Sequence, residues 1–314
     1  MASSSVLYIH VTGLTSEVMK NLVLAGIRAV ICDNRIFPDA IQDTPSIFLT
    51  NEDRNDNKVV DDNTVSNKRI KRTVADVIKS KIEELNPLLG DCEICNESVS
   101  QLTSEYISKF SIIVASRLCS MADAIRIANI CTAAGNKFYM ADCFGLKGVS
   151  VLDLGKHHTY RPEIGKKLLD VTALKNHVSL ESIFNNVKLH DATNRFHKTP
   201  PPPWIQYRCI LEYVERKNQW PESTNAVDFA ETILEWVQNT SPALIDHDLL
   251  SRKALQDLAQ IATVEIAPVC SVLGGILGNE IIKAISGKGE PANNTLLFDG
   301  ISCKAWTFLV QPKP

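Results

Sequence analysis

TVEIAPVCSVLGGILGNEIIKAI, residues Thr263 to Ile285, reads as a long helix with a proline in its first turn. Pro268 suits that position because its missing N–H would have had no intrahelical partner there. Behind it Val269, Val272, Leu273, Ile276, Leu277, Ile281 and Ile282 fall on nearly every side, so burial on more than one face is expected. Gly274, Gly275 and Gly278 would each weaken a helix by about 1 kcal/mol relative to alanine, so they are expected to let another backbone come close. Asn279, Glu280 and Lys283 interrupt the apolar run well short of the roughly 20 residues that a membrane span needs. The stretch therefore reads as a core or interface helix, with Pro268, Gly274, Gly275 and Gly278 as its marked positions.

The rest of the composition agrees with a soluble α/β protein. A chain of 314 residues, 45% hydrophobic and 22% charged, can bury a large core as one elaborate domain or two smaller ones. Its formal charge of -3 gives no general attraction to nucleic acid, which removes that class of partner. The cysteines at 32, 92, 95, 119, 131, 143, 209, 270 and 303 form no dense framework and sit largely in apolar runs, as buried thiols of a reducing compartment do. MASSSVLYIHV at the start has no basic region and only a short apolar run, so no membrane insertion is expected and the nucleus and cytoplasm are the expected locations.

Upstream, Val6 to Val11 reads as a buried strand, Gly13 as a turn, Ser16 to Leu24 as a helix burying Val18, Leu22 and Ala25, and Ala29 to Cys32 as a second strand ending at Asp33. A strand, a glycine turn, a helix, a strand and an acid about 20 residues on is the outline of a dinucleotide-type βαβ unit. The fingerprint needs a second glycine where this chain has Thr15. Two readings stand: a worn nucleotide turn, or a plain tight turn with a surface carboxylate, and the residues by themselves favour the second.

Further along, Asn51 to Asn67 is a polar, acid-rich run expected to form a loop, and Lys68 to Arg72 is a short basic run of the kind found at solvated helix starts. Val74 to Leu85 reads as an amphipathic helix stopped by Asn86-Pro87. Cys92 and Cys95 supply half of a zinc tetrahedron, but no second CxxC exists to complete it, and no metal site is expected. Phe110 to Ala115 and Lys137 to Met140 read as strands, with a helix over Met121 to Cys131 packing Ala122, Ile125, Ile127 and Ala128 inward. Cys119 and Cys143 lack a neighbouring histidine in the sequence and read as core or wall thiols. His157, His158, His177, His190 and His197 are too irregularly spaced for a metal helix. Pro200 to Pro203 reads as an extended connector. Trp204 to Val214, Ala226 to Val237 and Asp246 to Ile261 read as helices, the second presenting Val227, Ala230, Ile233, Leu234 and Val237 together. Leu296 to Phe298 and Cys303 to Val310 read as strands joined by an Asp299-Gly300 turn.

Ala267-Pro268-Val269-Cys270, Gly274-Gly275-Ile276-Leu277, Glu280 to Ala284 and Leu297-Phe298-Asp299-Gly300 together resemble the C-terminal part of the adenylation folds of ubiquitin-type activating enzymes. The resemblance runs from Val6 through nearly the whole chain and is weak between Asn51 and Thr73. Gly13, Asn21-Leu22, Leu24-Ala25-Gly26 and Asp33 stand where that family has GxG, KNLxLAG and its ribose-binding acid, and Leu85-Asn86-Pro87 matches its LNP. Asp142 to Gly145, Gly148 and Leu154-Gly155 follow at its spacing.

The resemblance implies a Rossmann-like α/β fold of the ThiF/MoeB type, with a mostly parallel central sheet and a small helical layer. It implies a nucleotide-fold half over residues 1–150, a connector and helical insertion over 151–262, and a C-terminal completion over 263–314. Three departures, Thr15, the single CxxC, and Ser116 to Cys119 in place of a magnesium-holding acid, match the subunit of heterodimeric members that keeps the fold without the ATP site. Gly13 and Asp33 are then a degenerate nucleotide site. The chain is expected to have no catalytic residue, no metal and no cofactor of its own, with MgATP bound by a larger catalytic subunit.

The polar chain between Gly148 and Pro200 is too short for the β domain of ubiquitin-activating enzymes, and the chain cannot hold the longer insertion of the NEDD-type subunits. Subunits of the SUMO-activating type are the most similar, which makes a SUMO-like modifier a partner through the complex. A self-sufficient ThiF or MoeB-like adenylyltransferase, a nicotinamide-dependent dehydrogenase and a scaffold uncoupled from activation are the rival readings. Family members also carry, before the first strand, an R-Q-I-R-L-W-G type helix whose arginine reaches the partner's phosphates. Residues 1–314 begin almost at the strand and carry no such motif; either the sequence is truncated there or the subunit lacks the contribution, and the chain as written is expected to support its partner poorly in catalysis.

Overall fold

A computed structural model describes residues 4–37, 44–49, 53, 72–165, 167–194 and 198–313. The loop read over Asn51 to Asn67, apart from Asp53, lies outside the described residues, as do His197 and the basic run up to Arg72.

An eight-stranded sheet runs through the molecule, built from β1 (Ser5–Ile9), β2 (Arg28–Cys32), β3 (Glu93–Cys95), β4 (Ile112–Ala115), β5 (Lys137–Phe144), β6 (Lys147–Asp153), β11 (Thr295–Asp299) and β12 (Lys304–Phe308). The order β3-β2-β1-β4-β5 is parallel throughout, and β6, β11 and β12 continue it antiparallel. That parallel order is the doubly wound one, in which ligand crevices open where the winding reverses, here between β1 and β4. Two short hairpins, β7 (Thr159–Tyr160) with β10 (Thr172–Ala173) and β8 (Glu163–Ile164) with β9 (Lys167–Leu168), break up the polar segment after β6.

Helices cover both faces. α1 (Gly13–Leu24), α2 (Val74–Leu85) and the glycine-rich helix α9 (Ala267–Ser286) lie over Val6, Tyr8, Ile112, Val114, Tyr139 and Ala141. α4 (Met121–Ala134), α6 (Pro202–Lys217), α7 (Ala226–Thr240) and α8 (Arg252–Ile261) lie over Leu7, Ile9, Ile113, Ala115, Phe138 and Met140. The short helices α3 (Ser104–Ile107) and α5 (Leu180–Asn186) fill gaps beside α4. Burial of the strands on both sides accounts for their nearly unbroken apolar runs.

Several local expectations are corrected. α1 starts at Gly13, not Ser16, because Thr12 caps it and Thr15 closes the box by accepting the Thr12 N–H at 2.8 Å. The residue that spoils the glycine fingerprint is thus the one that begins the helix. Ala25, Ala122 and Val227 are exposed, and in α7 Phe229 and Trp236 take the inner places instead. The helix read over Asp246 to Ile261 breaks at Ser251, which caps α8 after a 3-10 turn over Asp248–Leu250. Pro202 and Pro203 form the first turn of α6, so only the start of the proline run is extended. β11 and β12 are joined by the four residues Gly300 to Cys303, with Cys303 in the left-handed region at φ 52°, not by a tight Asp-Gly turn.

α9 is one-sided. Val269, Leu273, Gly274, Leu277, Gly278 and Ile281 are buried against α1 and the sheet, whereas Pro268, Ser271, Val272, Gly275 and Asn279 are exposed and Ile276 and Ile282 half-buried. By length and composition it could cross a membrane, yet its apolar side belongs to the core. A Cβ added at Gly274 would lie 2.6 Å from Glu17 Cβ and 3.3 Å from the Val18 nitrogen, and one at Gly278 3.3 Å from Asn21 Cβ. Those two glycines let α1 and α9 touch. Gly275 meets nothing within 4 Å among the described residues, so within this chain it admits no close neighbour.

Candidate functional site: the crevice between β1 and β4

Chain segments leaving β1, β2 and β4 meet at the switch point with Asp142 on β5. Beyond β1, His10 is left-handed at φ 62°, and its Nδ1–H donates to the Ser116 and Arg117 carbonyls at 3.2 and 3.3 Å. Arg117, beyond β4, is left-handed at φ 53°, as is Asn218 at the end of α6. Non-glycine residues in that region cost about 1–3 kcal/mol and persist where surroundings hold them, as these three do around one cavity. The cavity, about 390 Å³, is lined by His10, Thr12, Arg35, Arg117, Cys119, Trp220 and Glu265, among others.

Its charges are matched within the chain. Asp33 is buried, not at the surface as the plain-turn reading expected. It accepts the Val11 N–H at 2.7 Å and holds Arg35, whose Nε and Nη2 donate to it at 2.8 and 2.7 Å. Arg35 also donates to the Val11 carbonyl at 2.9 Å, lying across the position of a ribose-binding acid. At the start of α1 the Gly13 N–H donates to Glu265 Oε2 at 2.7 Å and the Leu14 N–H to Oε1 at 3.2 Å. The Thr15 N–H donates to Thr12 Oγ1. The amides that a helix start leaves free are therefore satisfied.

Arg117 stacks on Trp220 with its guanidinium carbon 4.6 Å from the ring centre and donates to the Ala262 and Cys143 carbonyls at 2.9 and 3.0 Å. Asp142 accepts from Ser116 Oγ at 2.9 Å, the Arg117 N–H at 2.7 Å and Tyr207 OH at 2.7 Å. Both oxygens of that carboxylate are engaged by protein donors. Burial, with Asp142 beside it, pushes the Tyr207 hydroxyl well up. Burial lowers His10, and the Arg35 charge adds to the effect. Cys143 is raised by its contact with Cys270 and by burial, as suits a core thiol, and Cys119, raised by burial, forms cavity wall.

These residues, as placed, do not fit a nucleotide, because the amide pair and the acid that would receive it are already bonded. A Cβ at Gly13 would lie 3.0 Å from Pro45 and 3.1 Å from Cys270 Sγ, so the turn is closed over as well. Among the described residues no group of His, Cys, Asp or Glu is arranged to hold a metal ion, and Cys92 and Cys95 are free thiols on the far edge of the sheet. Sequence reading picked out Gly13, Thr15 and Asp33, met Asp142 only as part of a spacing match, and missed Glu265 and Arg35. Arg35 has a local signal, two residues beyond the acid. Glu265 has none, since its target lies 252 residues away in sequence.

Such a fold and crevice define a class: doubly wound nucleotide-type α/β proteins, here with the ligand end filled from within. More particularly, the chain belongs to the ThiF family, which matches residues 1–313. It is 27% identical to SUMO-activating enzyme subunit 1 of Mus musculus, over 96% of this chain and 86% of that protein. With the protein of the same name from Xenopus tropicalis it shares 26%, over 96% and 88%. With that from Homo sapiens it shares 25%, over 100% and 90%.

Proposed function

We propose that the chain is the small subunit of a heterodimeric activating enzyme for a SUMO-type, ubiquitin-like modifier. The observation that carries this reading is a ThiF fold matched end to end whose crevice is bonded to its own side chains, in a chain whose relatives are named as a subunit. The larger subunit binds MgATP, adenylates the modifier's C-terminal glycine and captures it as a thioester. This chain completes and stabilises the adenylation module and supplies no catalytic group, nucleotide or metal. The open side of α9, where Pro268, Ser271, Val272, Gly275 and Asn279 carry no charge, is the surface we assign to the partner. Seven buried thiols among the nine support placement in the nucleus and cytoplasm.

The test is ATP–pyrophosphate exchange with modifier present, run on the chain alone, on the larger subunit alone and on the two together. Exchange only with the larger subunit present, and strongest with both, supports the proposal. Adenylate formation by this chain alone would overturn it.

A further inference from the structure

We infer that the start of α1 is a latent phosphate-class anion site that Glu265 occupies as an internal ligand. This rests on the reading above that the chain has no working nucleotide site and gives that reading its physical cause. Both carboxylate oxygens are used, on consecutive amides, at 2.7 and 3.2 Å. Consecutive N–H groups at a helix start, with the positive end of the helix dipole behind them, are the donors that phosphates use in related folds. The side chain comes from the short link between α8 and α9, just before the helix that packs along α1, so the contact ties the base of α9 to the tip of α1. Arg35 repeats the arrangement one strand away by bonding Asp33. A crevice that in this topology takes an anion and a hydroxyl-bearing sugar is thus filled on both counts by residues of the chain. The filling keeps the amides and the buried carboxylate satisfied without any ligand.

Glu265 also borders the open cavity with His10, Thr12, Arg35 and Arg117. Removing its carboxylate therefore frees the amide pair on the side that Glu265 shares with the cavity, while Pro45 and Cys270 still pack on the Gly13 Cα.

The experiment compares the full chain with Glu265→Ala and Glu265→Gln by thermal unfolding, titrating inorganic pyrophosphate and, separately, MgATP. The wild type should not respond to pyrophosphate. Glu265→Ala should melt lower and be raised by pyrophosphate, with an apparent affinity at least about tenfold above the wild type's. Glu265→Gln, with the shape kept and the charge gone, should fall between the two. Should the alanine variant fail to fold, the glutamine variant and amide NMR of the wild type decide. The Gly13 and Leu14 N–H signals should be protected in the wild type and move in Glu265→Gln. Folded variants without any gain in pyrophosphate response, or Gly13 and Leu14 signals indifferent to the substitution, would overturn the inference and leave the subunit reading standing. A wild type that itself binds MgATP and forms adenylate would remove the subunit reading first.

Discussion

Helix α1 meets two very different environments. Along its flank, Gly274 and Gly278 of α9 press against Glu17, Val18 and Asn21, and the contact is supported by the buried apolar side chains Leu273, Leu277 and Ile281. At its tip, Gly13 meets Glu265, Pro45 and Cys270 in a polar crevice. Both places depend on a glycine that permits close approach, but at the flank two helices meet and at the tip a side chain stands where a ligand would. Packing of apolar side chains fixes the first, whereas the second is held by one carboxylate on two amides.

The largest effect should come from emptying the flank. Leu277 is fully buried between α1 and the sheet, so Leu277→Ala should lower unfolding free energy in urea by about 2–5 kcal/mol. A loss no greater than that of an exposed position such as Val272→Ala would mean the seam does not carry the contact described.

The three glycines probe the same contrast on a finer scale. Gly274→Ala places a methyl 2.6 Å from Glu17 Cβ and should destabilise by about 1–3 kcal/mol through overpacking. Gly278→Ala, at 3.3 Å from Asn21 Cβ, sets mild crowding against better helix propensity and should change stability by less than about 1 kcal/mol. Gly275→Ala meets nothing and should stabilise the isolated chain by up to about 1 kcal/mol. The order of the three melting temperatures is the readout, and a destabilising Gly275→Ala would show an intramolecular contact at that position. The same variant in the complex reports on the partner surface assigned to the open side of α9.

How much of this is legible in the sequence follows from what each feature depends on. The βαβ start, α2 with its stop at Asn86, and the core helix beginning at Pro268 are legible because periodicity and caps are local. One-sided burial of α9 is not, because its composition is apolar all round and only the neighbours decide which side is covered. Gly274 and Gly275 are adjacent and equivalent in sequence, and a helical rotation of about 100° separates a crowded position from an open one. At the site, Thr15 shows in the sequence as a lost glycine, but its gain, a capping box, needs the backbone geometry. Asp33 and Gly13 are found by spacing, while Glu265 completes the crevice from the other end of the chain. Long-range pairing of that kind leaves no mark on either segment alone.

A pH dependence again contrasts crevice with periphery. His158, in the loop before β7, is buried with no partner for its Nε2 among the described residues, and burial together with the Lys137 charge lowers it to about 4. An imidazole lowered from about 6.5 in the unfolded chain binds its proton less readily when folded. Its contribution is therefore complete above pH 6.5 and is lost as pH falls from there toward about 4. His10 shifts the same way through burial and Arg35, but Asp33 and the Ser116 and Arg117 carbonyls oppose the shift. Urea unfolding at pH 7 and pH 5 should accordingly show a smaller acid-induced loss for His158→Leu than for the wild type. His10→Asn, which tolerates the left-handed backbone, should reduce that loss by less. Equal acid sensitivity of His158→Leu and wild type would mean that His158 is protonated in the fold, with solvent reaching its Nε2. A larger reduction for His10→Asn would mean that the crevice, filled as it is, remains the more strained of the two environments.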